Sequence, residues 1–136
     1  MRQTILITGC SSGIGYNCAL KFQQKNWHVI ASCRNAEDSA FLKSQYGLDT
    51  VRIDYEKPNT IKTGFNKALK LSGGRLDVLF NNGAYAIPAA GSIRITSIPV
   101  PRNSSRIVSV NPSRANFVAT YAPLNCIAAN PNTEEF

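Results

Sequence analysis

The 136-residue chain lacks any long apolar run. No stretch approaches the roughly 20 apolar residues that a membrane-spanning helix needs, so the sequence predicts no membrane span. The apolar run that follows the N-terminus is too short for the hydrophobic core of a signal peptide. We therefore expect the protein to be cytoplasmic.

Metal-binding and disulfide patterns are also missing. The four cysteines, Cys10, Cys18, Cys33 and Cys126, form no C-x-x-C pair, and the single histidine, His28, completes no Cys/His cluster. We predict no metal site and no disulfide framework. The thiols are expected to pack as small apolar groups.

Runs of like charge are absent, although the formal net charge is +7. Nucleic-acid-binding proteins neutralise phosphates with Lys and Arg side chains, whereas here these residues are spread along the chain without interleaved aromatic residues. The sequence therefore predicts no nucleic-acid partner. A dispersed basic surface instead favours the approach of an anionic cofactor or substrate.

The last third of the chain lacks lysine and aspartate and is rich in proline. No lysine follows Lys70, and six of the seven prolines lie beyond position 87. This change of composition divides the chain into residues 1–90 and a divergent Pro/Ser/Asn-rich tail, residues 91–136. Within the tail, residues 105–110 are typical of one added strand, and residues 115–121 fit either a short helix or a strand.

Short apolar runs alternate with segments of helical period over the first 80 residues. The apolar runs are residues 4–8, 27–32, 50–53 and 76–80, and the helical segments are residues 14–25, 36–46 and the stretch from Pro58 to Gly73. This alternation predicts an α/β fold. We expect a Rossmann-like doubly wound parallel sheet in three α/β/α layers, with strand order 3-2-1-4 and an incomplete second half.

A glycine-rich loop joins the first predicted strand to the first predicted helix. It carries Gly9, Gly13 and Gly15, with Ser11, Ser12 and Ile14 between them. Glycines in this setting let backbone N–H groups and a helix N-terminus approach a pyrophosphate, because a side chain would hold the backbone away. The serine hydroxyls add donors. The alternative is an ordinary turn.

Three segments of residues 1–90 resemble short-chain dehydrogenases/reductases. Thr8-Gly9-x-x-x-Gly13-Ile14-Gly15 is similar to the glycine signature of that family, and Val51-Arg52-Ile53-Asp54 is similar to its third strand. Residues 79–84, Leu-Phe-Asn-Asn-Gly-Ala, resemble its Asn-Asn-Ala-Gly element, with the Gly and Ala exchanged. The resemblance implies an oxidoreductase that moves a hydride between a dinucleotide cofactor and a small carbonyl or alcohol substrate, and it leaves a homo-oligomer open.

The resemblance also implies roles for residues that follow the third and fourth strands. Asp54 would accept a hydrogen bond from the adenine amino group, or alternatively it would cap a turn. Asn82 and Gly83 would line the adenosine-ribose side of the cleft, and Asn81 would tie neighbouring strands together.

The residue that follows the second strand favours NADP(H) over NAD(H). NAD enzymes carry a carboxylate here that binds the ribose 2′-hydroxyl. Residues 31–34, Ala-Ser-Cys-Arg, contain no acid, and Arg34 can pair with a 2′-phosphate through its planar guanidinium. The alternative role of Arg34 is that of a surface residue at the sheet edge.

The catalytic Ser, Tyr and Lys of the family are incompletely matched in the tail. In the family the lysine lowers the pKa of the tyrosine, so that the phenol acts as an acid or base near neutral pH. Ser109 and Tyr121 have a suitable spacing and are the catalytic candidates. Asn125 stands at the lysine position, and an amide carries no positive charge.

Two hypotheses follow from the unmatched tail. A shifted reading frame or a truncated gene after about residue 90 would explain the change of composition. Sequencing the gene tests this, because a neighbouring frame without a Tyr-x-x-x-Lys continuation excludes it. For function, the alternative to an active oxidoreductase is a catalytically inactive nucleotide-binding fragment or regulatory half-fold.

Overall fold

A computed structural model of the chain describes residues 2–87, 92–94, 106–110 and 119–122, with side chains up to position 84. Its elements are β1 Thr4–Ile7, α1 Gly13–Gln24, β2 His28–Cys33, α2 Ala36–Tyr46, β3 Asp49–Arg52, α3 Pro58–Leu71, β4 Val78–Asn81, β5 Tyr85–Ile87, β6 Ser92–Arg94, β7 Arg106–Val110 and β8 Ala119–Ala122. From β1 to β4, every predicted strand and helix is present, with boundaries that differ by two residues or fewer.

Six strands of the described residues form one sheet, in the order β3-β2-β1-β4-β7-β8. The five strands from β3 to β7 in that order are parallel, and β8 pairs with β7 in the antiparallel sense. β5 and β6 form a separate antiparallel pair. The predicted order 3-2-1-4 and the Rossmann-like α/β fold are therefore confirmed.

Three short strands of the tail are described. β7 corresponds to the strand predicted over residues 105–110 and extends the parallel sheet beside β4. β8 overlaps the end of the segment 115–121, and residues 115–118 lie outside the described residues. The division of the chain into residues 1–90 and 91–136 stays a prediction.

The side chains of the central strands alternate between two apolar layers, as successive residues of a strand must. Ile5 and Ile7 of β1 belong to a core with α1 and α2, together with Val29, Ala31 and Phe80. Leu6 lies on the other face and packs with α3, in a core that contains Ile30, Val51, Ala68 and Leu79. The sheet is thus covered on both sides, in the three layers that the sequence predicts.

Within the described ranges, no group of three or more metal-ligating side chains is present. His28 instead bonds with Asp49, at 2.8 Å between Nε2 and Oδ2. None of the helices in the same ranges combines the length and apolar character that a bilayer crossing requires.

Replacing Gly64 of α3 with alanine is expected to lower the free energy of unfolding by about 1–3 kcal/mol. Alanine is the better helix former by roughly 1 kcal/mol, but its Cβ would run into the carbonyl oxygen of Arg52 and lie 2.8 Å from Cγ1 of Ile53. The steric clash is expected to cost more free energy than alanine gains through its higher helix propensity, because Arg52 is held in β3 and cannot move away. Urea unfolding measures the effect, with the exposed helix position Asn66→Ala as control. The control should leave the free energy of unfolding unchanged or raise it slightly. An equal change in the free energy of unfolding at both positions would contradict the packing argument.

Candidate functional site

A cleft of about 280 Å³ opens at the carboxyl edge of the parallel sheet. Doubly wound α/β folds bind ligands at this edge, near the point where the strand order reverses. The lining residues are Gly9, Ser11, Ser12, Arg34, Asn35, Asp38, Ile53, Asp54, Tyr55, Glu56, Asn82, Gly83 and Ala84. The structure therefore brings together seven of the ten predicted cofactor residues. The other three, Gly13, Ile14 and Gly15, form the first turn of α1.

Backbone contact between the glycine loop and the segment after β4 closes one wall of the cleft. A Cβ on Gly15 would run into the carbonyl oxygen of Gly9 and lie 2.6 Å from Nδ2 of Asn82. A Cβ on Gly9, where φ is 69°, would lie 2.8 Å from Cα of Gly83. Such distances are below normal van der Waals contact, so glycine is required at both loop positions.

The N-terminus of α1 offers unpaired donors to an anion. The helix begins at Gly13, its N-cap Ser12 makes no side-chain capping hydrogen bond, and its first turn contains no acidic residue. The first N–H groups of a helix have no intrahelical acceptor and carry partial positive charge. Ile14 of this turn is 42% exposed. The turn can therefore bind a pyrophosphate in the way the glycine pattern predicts.

The Thr8 hydroxyl joins β1 to the segment after β4. Its Oγ1 accepts hydrogen bonds from the backbone N–H of Asn82 at 3.0 Å and of Gly83 at 2.9 Å. The Asn82 side chain also binds the glycine loop. Its Nδ2 donates hydrogen bonds to the carbonyl oxygens of Thr8 and Gly9, at 3.2 Å each. Asn82 therefore fixes the loop as well as lining the cleft.

Asp54 has one of the two alternative roles that the sequence left open, that of a turn cap. Its Oδ1 accepts a hydrogen bond from the N–H of Glu56 at 3.1 Å, which is an Asx turn. Its own N–H donates to Oγ1 of Thr60 at 2.9 Å. The residue is buried and also lines the cleft. The turn-cap role is observed, and the contact with adenine stays a prediction.

Arg34 lies at the rim of the cleft, directly after β2, with an exposed side chain. In the part of the chain that the structure describes, its guanidinium forms no ion pair. Its backbone carbonyl oxygen accepts a hydrogen bond from Nε of Arg52 at 3.1 Å, which holds the strand end in place. Arg34 is thus free to meet an anionic group that enters the cleft.

The two catalytic candidates lie in the strands at the far side of the sheet. Ser109 of β7 is in register with Asn81 of β4 and with Thr120 of β8, whereas Tyr121 is in register with Val108. The two candidates are therefore offset by one position along the ladder. Their catalytic role stays a prediction, and Asn125 lies outside the described residues.

Sequence reasoning missed two features of the cleft. The Thr8 hydroxyl bonds across the sheet, and no local pattern signals a contact between residues so far apart in sequence. Tyr55 lines the cleft beside Asp54. Its position three residues after β3, a strand that ends at the carboxyl edge of the sheet, was the available signal.

The three described cysteines have free thiols, and burial raises the pKa of each. Cys10 is fully buried in the glycine loop, where its Sγ donates to the carbonyl oxygen of Ile7 at 3.2 Å. Burial, reinforced by the nearby Asp38 carboxylate, raises the pKa of Cys33 from 9.0 to about 11. These thiols are packing groups, since the reactive species is the thiolate.

Alkylation with iodoacetamide at pH 8 should therefore modify Cys18 well before Cys10 or Cys33. Cys18 is partly exposed, whereas the other two thiols are buried and protonated. Peptide mass spectrometry after timed quenching gives the order. Modification of Cys10 as fast as Cys18 would contradict the buried placement of the loop.

The same pKa shift has a consequence for stability at alkaline pH. Cys33 deprotonates in the unfolded chain near pH 9 but in the folded chain only near pH 11. Its contribution to stability is therefore complete below pH 9 and declines as the pH rises towards 11.

A glycine loop that leads into a helix N-terminus, at the carboxyl edge of a parallel sheet ordered 3-2-1-4, defines the dinucleotide-binding class of α/β folds. The chain belongs to the short chain dehydrogenase family, whose model matches residues 3–121. That family binds NAD(P) dinucleotides and consists of oxidoreductases.

Similar proteins include the uncharacterized oxidoreductase YbbO of Escherichia coli, which is 34% identical over 87 residues, or 64% of this chain and 32% of that protein. The NADPH-dependent 1-acyldihydroxyacetone phosphate reductase of Schizosaccharomyces pombe is 37% identical over 109 residues, or 79% of this chain and 34% of that protein. A solved short-chain dehydrogenase from Streptomyces avermitilis matches with a TM-score of 0.54 and 28% identity, over 60% of this chain and 30% of that one. The chain spans about a third of the length of these relatives.

Proposed function

We propose that this chain carries the cofactor-binding part of an NADP(H)-dependent oxidoreductase that interconverts a carbonyl compound and an alcohol. Arg34 is the observation that carries the choice of NADP(H), because its guanidinium is unpaired among the described residues and no carboxylate ends β2. A guanidinium pairs well with a 2′-phosphate, whereas NAD enzymes use a carboxylate here. Related proteins of Saccharomyces cerevisiae and Schizosaccharomyces pombe are named NADPH-dependent reductases.

The described residues fit a dinucleotide along the length of the cleft. Gly9 and Gly15 let the loop pack closely against Asn82 and Gly83, and in this proposal the pyrophosphate binds at the N-terminus of α1. In this proposal Arg34 holds the 2′-phosphate, Asp54 accepts from the adenine amino group, and Asn82 and Gly83 face the adenosine ribose. All four line the same cleft.

The cofactor, when bound, supplies or accepts the hydride at C4 of its nicotinamide. Reduction of a carbonyl also requires a proton for the oxygen, and the hydroxyls of Ser109 and Tyr121 are the candidate donors. No lysine follows Lys70, so the tail supplies no ammonium group to lower the pKa of Tyr121. We therefore expect this chain to bind cofactor and to turn over slowly or not at all. The cytoplasmic location and a homo-oligomer belong to the same proposal.

Fluorescence titration with NADPH and NADH, followed by an aldehyde-reduction assay on the same sample, tests the function. Tighter binding of NADPH than of NADH, with turnover, supports the full proposal. Binding without turnover supports the nucleotide-binding half-fold. The absence of a lysine at the family's catalytic position favours this outcome. Absence of binding to either dinucleotide, with a folded protein, rejects both.

A further inference from the structure

Gly83 is the point where the glycine loop, the segment after β4 and an aromatic ring meet. The residue is buried. A Cβ added to it would lie 2.5 Å from both Cε2 and the hydroxyl oxygen of Tyr55, and 2.8 Å from Cζ. Gly9 approaches the same residue so closely that a Cβ on Gly9 would lie 2.8 Å from Cα of Gly83. Gly83 therefore has no room for a side chain while Tyr55 is in place.

The turn that carries Tyr55 is held on both sides. The N–H of Glu56 donates to Oδ1 of Asp54 at 3.1 Å, and the N–H of Lys57 donates to its carbonyl oxygen at 3.0 Å. Tyr55 itself is half-buried and packs against the apolar core on the α3 side of the sheet. The ring cannot swing away without losing that packing.

The Tyr55 hydroxyl lies against the backbone that forms the wall of the cleft, since a Cβ on Gly83 would lie 2.5 Å from its oxygen. Burial raises the pKa of Tyr55. Thr8 accepts the N–H groups of Asn82 and Gly83. The Thr8 hydroxyl and the Tyr55 ring thus both contact the backbone after β4, which borders the cleft.

We propose that Tyr55 is a positioning residue for the adenosine end of the cofactor, matched to Gly83. Its ring occupies the space that an alanine side chain would need at position 83, the residue found there in the family's common Asn-Asn-Ala-Gly element. The ring thereby sets the height of the Asn82–Gly83 backbone above the glycine loop. The inference rests on the proposed function, because it assigns the adenosine half of a dinucleotide as the ligand that this wall faces.

A tyrosine that only fills the core would behave differently from one that positions the wall. Core filling predicts that changes at Tyr55 alter stability and leave the dissociation constant of the ligand unchanged. Positioning predicts that the two residues are coupled in binding, since an alanine at position 83 can be accommodated only where position 55 is smaller.

A double-mutant cycle tests the pairing with four full-length proteins: wild type, Gly83→Ala, Tyr55→Val and the double variant. The probe is 2′,5′-ADP, the adenosine half of NADPH, titrated by calorimetry. We expect Gly83→Ala to weaken binding roughly tenfold, Tyr55→Val to weaken it less, and the double variant to return to within about threefold of wild type. Additive losses would overturn the pairing.

Tyr46→Val is the matched control, because Tyr46 is half-buried on the α1–α2 side and bonds with the Tyr16 hydroxyl at 2.6 Å, away from the cleft lining. It should lower stability without changing the dissociation constant of 2′,5′-ADP. A binding loss equal to that of Tyr55→Val would show that the tyrosine effect is unspecific and would overturn the proposal.

Two further outcomes are also decisive. If Gly83→Ala does not fold, recovery of folding in the double variant supports the pairing, and failure to recover overturns it. If wild type binds neither 2′,5′-ADP nor NADPH, the proposed function fails and the ligand part of this inference fails with it. The steric pairing is then decided by whether the four unfolding free energies in urea are additive.

Discussion

Gly15→Ala is expected to raise the dissociation constant of NADPH by roughly 100-fold and to lower the free energy of unfolding by about 1–3 kcal/mol. The new Cβ would run into the carbonyl oxygen of Gly9 and lie 2.6 Å from Nδ2 of Asn82. Relief would require either the glycine loop or the Asn82 side chain to move. Both border the cleft where we propose that the pyrophosphate and ribose bind, so binding should suffer more than stability.

The loop has little freedom to relax around such a collision. The N–H of Cys10 donates to the carbonyl oxygen of Ser32 at 2.8 Å, and the N–H of Thr8 donates to that of Phe80 at 3.0 Å. These bonds hold both ends of the Gly9 segment to neighbouring strands. The roughly 1 kcal/mol that alanine gains as a helix former in α1 is smaller than the expected penalty.

Fluorescence titration and urea unfolding of the same preparation separate the two effects of Gly15→Ala. Gly73→Ala is the control, because Gly73 has φ of 70°, open space around its Cβ position and no place in the cleft lining. It should lower stability by about 1–2 kcal/mol through backbone strain alone and leave NADPH affinity unchanged. Equal NADPH affinity in Gly15→Ala and wild type would refute the placement of the pyrophosphate at this loop.

Arg34→Met is expected to weaken NADPH binding by roughly 10- to 100-fold while NADH binding changes by less than about twofold. A hydrogen bond to a charged group contributes about 1.5–3 kcal/mol, and each 1.4 kcal/mol corresponds to tenfold in affinity. Only NADPH carries the 2′-phosphate that such a bond would meet. Methionine keeps the length of the side chain and removes the charge.

Titration of both dinucleotides against both proteins measures the selectivity directly. Arg75→Met is the control, since Arg75 is also exposed but pairs with Asp77 at 2.7 Å before the start of β4 and does not line the cleft. It should leave both affinities unchanged. If Arg34→Met weakens NADPH and NADH binding equally, Arg34 has only the alternative role of a surface residue at the sheet edge. That result would argue against selectivity for NADP(H).

The fold of the first 80 residues could be predicted because each element carries its own periodic signal. The apolar β-branched run at residues 4–8 indicates a buried strand, and the spacing of Ile61, Phe65 and Leu69 indicates one apolar face of α3. Right-handed crossovers then restrict the strand order to 3-2-1-4. Boundaries shifted by a residue or two because strand ends depend on pairing partners, as at Asn81, which pairs with Ser109.

The cleft was predictable only where its chemistry is local. Gly9, Gly13 and Gly15 lie within one short segment. Their pattern is recognisable because a turn that binds a pyrophosphate needs positions without side chains. The contact of Tyr55 with Gly83 joins residues that are distant in sequence, and no periodicity encodes the distance between them. The ring of Tyr55 lies in the space that a Cβ at position 83 would need, which gives a physical reason for the exchanged order of Gly83 and Ala84.

Among the residues that the structure describes, those that line the cleft lie between Gly9 and Ala84, although the sheet itself continues through β7 and β8. The wall that we propose for the adenosine half is therefore formed by residues of the first 84 positions. Proteins are synthesised from the N-terminus, and N-terminal segments generally fold first. In the order of translation, every component of this wall has been added to the chain before the first residue of β5.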